Sequence, residues 1–425
     1  MKRKIIFIII TTVFLFLSPI GVSFGETLED AWEIGLKTDL LLKAAGQDII
    51  SRQAELAAAK GLRLPTVNVG AGYTILDNEP GAYAQTIQFT TADDTSLTYQ
   101  AMVSLPLYTH FQISSSIDAA MAALSAGKFA EQAARQKVKL KIAEAYVAIL
   151  LSIQQTDVAI SQEQSLAAHS ADVKNLHDEG MVPVNDLLAA KVALANARQL
   201  TLKTRNRLDI AQSAYNRLLN RPLDYRFQIV KIPLLFPEID LPALTRDALK
   251  KRPELAARAE QIEALKWQAK STRAETGPKV ILKSGYDYRE NSHQQHEGVW
   301  QAMVMASWDI FDGNVAKNKS LAIAAQSRSL NEQRQDLETM IELQVRQAWL
   351  DLEESRKRID VTKKTLEQAE ENLQVTRDRY KEGIGTNTEV LDAETLRTIN
   401  FVNYDKANND AVLAVIRLHY ATGSL

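Results

Sequence analysis

The chain contains no cysteine. It therefore has no disulfide to support a thin core, no thiolate for nucleophilic or metal chemistry, and no residue on which an N-terminal lipid is built. Its six histidines include no His-Glu-x-x-His pair, and no phosphate-binding loop occurs. These absences argue against an enzyme and leave no cofactor to expect. Basic excess is lacking as well: 50 Lys and Arg face 52 Asp and Glu, a net charge of −2, so no positive field invites nucleic acid. Only one long apolar run exists, Ile5 to Leu17, and nothing else approaches the roughly 20 residues of a spanning helix.

That run follows Lys2, Arg3 and Lys4 and precedes Pro19 and a small-x-small end at Ser23 and Gly25, the pattern of a cleaved secretory signal. A signal peptide at 1–25, cut before Glu26, leaves 400 residues (425 − 25) with 47 basic (50 − 3) and 52 acidic side chains, or −5. An exported chain of this kind enters a membrane only as strands.

The segment "DEGMVPVNDLLAA" at 178–190 returns 203 residues later as "KEGIGTNTEVLDA" at 381–393. The same shift places Ala145-Tyr146 on Ala348-Trp349, Asp157-Val158 on Asp360-Val361, and "SLPLY" at 104–108 on "SWDIF" at 307–311. Upstream, "LRLPTVNVGAGY" at 62–73 resembles "TGPKVILKSGY" at 276–286. The chain is thus two copies of one helix-strand-strand-helix-helix unit, 26–220 and 243–425, joined by a connector at 221–242.

In the first unit a helical pattern at 27–62 stops before Pro65, and alternating runs at 66–76 and 97–108 precede helical stretches at 112–178 and 184–219. The second unit predicts a helix at 243–275, strands at 279–289 and 298–310, and helices at 315–381 and 386–421. Helices of about 67 residues span about 100 Å at about 1.5 Å per residue. Pairs of the shorter helices, stacked end to end, match that length, and the connector forms a belt at their joint. In the last long helix Val345, Leu352, Ile359, Leu366, Leu373 and Tyr380 recur every seven residues, with small residues three positions on. A generic charged coiled coil has the same pattern.

Each strand is apolar on one face and polar on the other. Val67, Val69, Ala71, Tyr73 and Ile75 oppose Thr66, Asn68, Gly70, Gly72 and Thr74, as Val280, Leu282, Tyr286 and Tyr288 oppose Lys283, Gly285, Asp287 and Arg289. Strands of about ten residues with this alternation suit an outer-membrane barrel. Tyr73, Tyr99, Tyr108, Tyr286, Tyr288, Trp300, Trp308 and Phe311 then supply the interfacial girdles. A small soluble sheet with one buried face is the alternative. Four strands cannot close a barrel, which takes about eight, and lipid does not tolerate open edges, so membrane placement forces an oligomer.

These motifs, in this order, resemble the TolC-like outer-membrane efflux factor family. The resemblance covers nearly all of the mature chain. Its marks are the duplicated unit, "RLP" before a strand, "SWDIF" near that family's Ser-Trp-Pro-Leu-Phe, and "YKEGIGTNTEVLDA" near its Tyr-x-x-Gly...Val-Leu-Asp-Ala. It implies a mixed α and transmembrane β fold: a homotrimer whose 12-stranded β-barrel is continued by a long α-helical periplasmic barrel. The implied place is the outer membrane, in contact with its lipid and extending into the periplasm. Substrates would pass through it from an inner-membrane pump of RND, ABC or MFS type by way of a periplasmic membrane-fusion adaptor. A periplasmic coiled-coil scaffold and an outer-membrane receptor or adhesin are the competing readings.

The repeated turns read as helical tips. Gly180 and Gly383 suit the left-handed position that ends a helix, Pro183 suits a first turn, and Thr386 with Glu389 forms a capping box. Chain reversal alone leaves the apolar Met181, Val182 and Ile384 unexplained. A partner contact would explain them, and the resemblance implies that this partner is the adaptor, which makes Gly180, Met181, Val182 and Pro183, with Gly383, Ile384, Gly385 and Thr386, the candidate adaptor-docking tips. The resemblance implies a closing ring one and two turns before Tyr380, on Gln374 and Arg377, which departs from the family's acidic residues. Glu371 and Asp378 lie nearby, and a solvated helix face accounts for any of the four equally well. His293, His296 and Glu297 in "HQQHE" are a conceivable metal group on what otherwise reads as a polar outer loop.

Overall fold

The computed structural model describes residues 25–236 and 240–425; the expected signal sequence and part of the connector lie outside the described residues. The elements in order are α1 (Leu28–Thr38), α2 (Leu40–Gly61), β1 (Thr66–Ile75), β2 (Gly81–Ala84), β3 (Ile87–Thr90), β4 (Thr95–Tyr108), α3 (Gln112–Asp178) and α4 (Val184–Leu218). There follow α5 (Leu241–Lys251), α6 (Pro253–Arg273), β5 (Lys279–Arg289), β6 (Gly298–Ser307), α7 (Val315–Lys381) and α8 (Asn387–Ala421). Helices α3 and α7 each have 67 residues, about 100 Å at about 1.5 Å per residue. Half-length helices lie along them: α2 and α4 pack on α3, α6 and α8 touch both long helices, and α5 packs on α7.

The stretches 27–62 and 243–275 are not single helices. Each breaks after its first 11-residue segment. At Asp39 the backbone turns out (ψ 126°) and the carboxylate accepts from Leu42 N at 2.8 Å, starting α2 afresh. At Arg252 (φ −65°, ψ 115°) the next residue is Pro253, whose ring disfavours helical backbone before it.

The main sheet is antiparallel in the order β1-β4-β5-β6. Its register sets Val67 opposite Val103, Val69 opposite Ala101, Tyr99 opposite Tyr288, Leu282 opposite Val304 and Tyr286 opposite Trp300. The apolar faces of all four strands therefore coincide. On the other face Asn68 meets Met102, Gln100 meets Asp287, and Gly285 meets Gln301. The loop after β1 contains a hairpin, β2–β3, where the sequence had suggested only a polar segment. Below the loops Pro65 and Pro278 stand 213 residues apart, whereas Gly180 and Gly383 stand 203 apart. The surplus of the first unit falls in residues 76–94, against 290–297 in the second.

The most extensive cluster of buried apolar residues lies at the waist, where α1, α3, α4, α8 and the connector meet around Tyr146, Tyr215, Ile142, Ile149 and Leu219. Glu26 forms a parallel bridge with Ile229, and the Tyr146 hydroxyl lies 2.7 Å from both the Glu26 and Val230 carbonyls and accepts from Val230 N at 3.0 Å. The Glu26 carboxylate accepts from Arg221 Nη1 at 2.7 Å and from the Tyr215 hydroxyl. One side chain of α3 thus fastens the belt and Glu26 together. Burial pushes the Tyr146 hydroxyl up to about 12 and also raises that of Tyr215, so both are neutral donors at ordinary pH.

Candidate functional site

Two regions bear on function, the sheet and the tips at the opposite end of the long helices. Among the described residues the outer edges of β1 and β6 have no strand beside them. Its apolar face is uncovered: Val69 is 79% exposed, Trp300 81% and Val304 64%. An uncovered apolar face of this extent on a protomer marks contact with lipid or protein rather than water. The predicted aromatics divide into two bands. Tyr99 stacks on Tyr288 at 4.3 Å, Tyr286 lies 5.3 Å from Trp300, and Tyr73 shares their face near the loops. At the helix end Tyr108 meets Phe111 edge-on at 6.4 Å, and Trp308 and Phe311 are exposed just after β6 ends at Ser307.

At the outer mouth Asp93 accepts from Ser292 N at 2.7 Å and Ser292 Oγ at 2.6 Å, clipping the first loop to the second. His293 Nδ1 lies 3.6 Å from Asp93, while Glu297 accepts from Tyr288 at 2.8 Å and from Asn291 N at 3.2 Å. Among the described residues no three His, Cys, Asp or Glu side chains gather as a metal group.

The tips form as the glycines dictate. Gly180 has φ 75° and donates to His177 O at 2.9 Å, with Met181 N donating to Leu176 O at 2.8 Å; Gly383 has φ 72° and donates to Tyr380 O at 3.0 Å. Ile384 N and Gly385 N both donate to Arg379 O, at 2.9 and 3.0 Å. Pro183 stands in extended backbone just before the first turn of α4, not within it, and makes no side-chain cap, whereas Thr386 and Glu389 exchange hydrogen bonds of 3.3 and 3.0 Å at the start of α8. Met181 and Ile384 are exposed at the apex, by 67% and 72%. Val182 is not free: it turns inward, half-buried, onto Val173, Leu187, Ala190, Tyr380 and Val390, so the core accounts for its apolar character.

Arg377 also differs from the expectation of a ring charge. Its guanidinium donates to Glu394 Oε2 of α8 at 2.9 Å and to Ser165 of α3, while Arg397 Nη2 stands 3.6 Å from the other Glu394 oxygen. A buried carboxylate requires such partners, and the arginine is spent between helices. Glu371, Gln374 and Asp378 remain exposed on α7.

The sequence reading missed the polar contacts that join the tips. Buried His169 of α3 lies with Nε2 2.7 Å from Asn387 Oδ1 of α8, and Asn387 Nδ2 donates to Asp186 O of α4 at 3.1 Å. The His169 ring is 5.5 Å from that of Tyr380 on α7. Leu166, His169, Ser170 and Val173 are all buried, so a histidine occupies a seam position. A polar residue in a seam was the available clue. Burial holds the His169 imidazole below its ordinary proton affinity; the Asn387 bond opposes this and Arg377 adds to it.

Residues 35–221 and 244–424 match the outer membrane efflux protein family. The chain is 23% identical over 432 positions to the alkaline protease secretion protein AprF of Pseudomonas aeruginosa, an alignment that takes in 95% of this chain and 85% of AprF. Its fold is similar to that of the Campylobacter jejuni CmeC outer membrane channel, with a TM-score of 0.81 at 14% identity over 93% of this chain and 85% of that one. It is also similar to that of the outer membrane protein VceC of Vibrio cholerae, with a TM-score of 0.80 at 17% identity over 93% and 96%. With the matched blocks spanning most of the chain, this protein belongs to the outer membrane efflux protein family.

Proposed function

We infer that the chain is the outer-membrane exit duct of a tripartite efflux or secretion system. The observation that carries this reading is the register: four strands align one apolar face, and the same strands run on into helices of 67 residues. A sheet of four strands closes only with copies of itself, and three copies give twelve strands, enough for an open lumen lined by the polar face. Lipid covers the other face, with the two aromatic bands at its boundaries. The chain is organised as two efflux-protein repeats, 26–220 and 243–425, behind a removable signal at 1–25. Its role there is that of a conduit rather than an enzyme.

At the tips, Met181 and Ile384 meet a periplasmic membrane-fusion adaptor, which links the duct to an inner-membrane pump. The similarity to a protease secretion protein favours a polypeptide cargo, delivered by a pump of RND, ABC or MFS type. Glu371, Gln374 and Asp378 are retained as candidates for the constriction. Cysteines introduced at Met181 and Ile384 should crosslink to the adaptor, with no native thiol to compete. The paired replacement Met181→Glu and Ile384→Glu should lower adaptor capture and export by about tenfold, roughly the effect of losing 1.4 kcal/mol of binding, while the outer-membrane trimer persists. Undiminished export would remove the tips from the docking surface. A soluble protein in periplasmic extract would remove the duct.

A further inference from the structure

We propose that the His169–Asn387 pair is a proton-operated clasp that holds the two tips of each protomer together near neutral pH and releases them in acid. The inference rests on reading the tips as the moving end of the duct.

The hydrogen-bond pattern fixes the chemistry. Asn387 spends its amide nitrogen on Asp186 O, so its Oδ1 faces the imidazole at 2.7 Å and must accept. His169 Nε2 therefore carries a proton, and in the neutral ring that burial favours, Nδ1 holds the lone pair. Through this one pair α3, α4 and α8 are joined, and the ring rests against Tyr380 of α7. Both residues are almost completely buried, at 7% and 2% exposure.

A second proton would enter at Nδ1, for which, among the described residues, no acceptor lies within hydrogen-bonding distance. The charged and titratable groups facing it come from all four helices. On α3 Asp172 is solvated and favours the proton weakly; on α7 Arg377 opposes it and Tyr380 presents only its ring; on α8 Glu394 is already held by Arg377, Arg397 and Ser165; on α4 the Asp186 carbonyl is taken by Asn387. The closed seam thus disfavours the imidazolium, while a separated tip returns the ring to water and to a proton affinity near about 6.5. The open form binds more protons. Closed-state stability is complete above that value and falls as pH drops toward the depressed value of the buried ring. One proton per protomer shifts the open-to-closed ratio by at most about tenfold per pH unit.

Spin labels on cysteines at Met181 and Ile384 of the intact trimer report the separation of the tips. Wild type should lengthen this distance between pH 7.5 and 5.5. His169→Gln places an amide nitrogen where Nε2 donates but does not titrate, and should stay closed throughout. Asn387→Leu should be open at pH 7.5. A wild-type pH response retained in His169→Gln, or closed tips in Asn387→Leu, overturns the clasp. Conductance of the same trimers in planar bilayers separates the two readings. A trimer that never conducts refutes the duct while the distances still decide the clasp, and current with pH-invariant distances refutes the clasp alone.

Discussion

Tyr146→Ala is expected to destabilise each protomer by about 3–5 kcal/mol, the range for deleting a buried aromatic ring. The side chain is fully buried, lies edge-on to Tyr215 at 6.1 Å, and fills the junction of four helices with the belt. The alanine would leave a cavity and would also free the belt, because the Tyr146 hydroxyl is what joins Glu26 and Val230 to α3. Tyr146→Phe keeps the ring and should cost only about 1 kcal/mol for the lost hydrogen bond. Heat dissociation of the proposed outer-membrane trimer on gels, with denaturant unfolding of the separated chains, would rank the three proteins. Near-equal behaviour of the alanine and phenylalanine variants would contradict a packing role. Because its hydroxyl is raised to about 12, the contribution of Tyr146 is complete below about 10, the ordinary value, and is lost as pH rises through 12. The phenylalanine variant should lack that part of the alkaline loss.

Val103→Arg should all but abolish assembly in the outer membrane. Val103 lies on the apolar face of β4, midway between Tyr99 and Tyr108 of the two aromatic bands, opposite Val67. A guanidinium near the middle of the hydrocarbon costs about 2–4 kcal/mol per chain, and a trimer carries it three times. Gln100→Arg, on the same strand but the polar face, is the control. It should assemble normally and alter only conductance and ion preference. Equal tolerance of the two substitutions, measured by trimer yield in the outer-membrane fraction, would mean that the apolar face does not meet lipid.

Long-range periodicity was easily read in this sequence, and local breaks were not. The helices α3 and α7 occupy 112–178 and 315–381, the same residues that the apolar pattern marks, because a seam of that length leaves few alternatives. The stops at Asp39 and Arg252 were missed although both had signals, a capping aspartate and a residue before proline, because the apolar period runs through them. The β2–β3 hairpin turns at Gln85, which takes φ 61° without the Asn-Gly or Gly-Gly pair that announces such a turn. At the tips the glycines and the capping box follow from residue type. The inward turn of Val182, the capture of Arg377 by Glu394 and the pairing of His169 with Asn387 do not. The first depends on what packs beneath, and the others join residues 17 and 218 positions apart.

The unequal outer loops divide the molecule into a fixed part and a free part. Strand register and helix length tie the two repeats to a common height, so chain inserted anywhere below the mouth would shear the wall. Chain inserted after β1 only projects from it, and the β2–β3 hairpin is such an addition. Around a threefold mouth three long loops would alternate with three short ones, and the surface seen by phage, antibodies or neighbouring cells would change without any change to the conduit. A peptide epitope placed at Gln85 would be displayed in triplicate on a channel that still assembles.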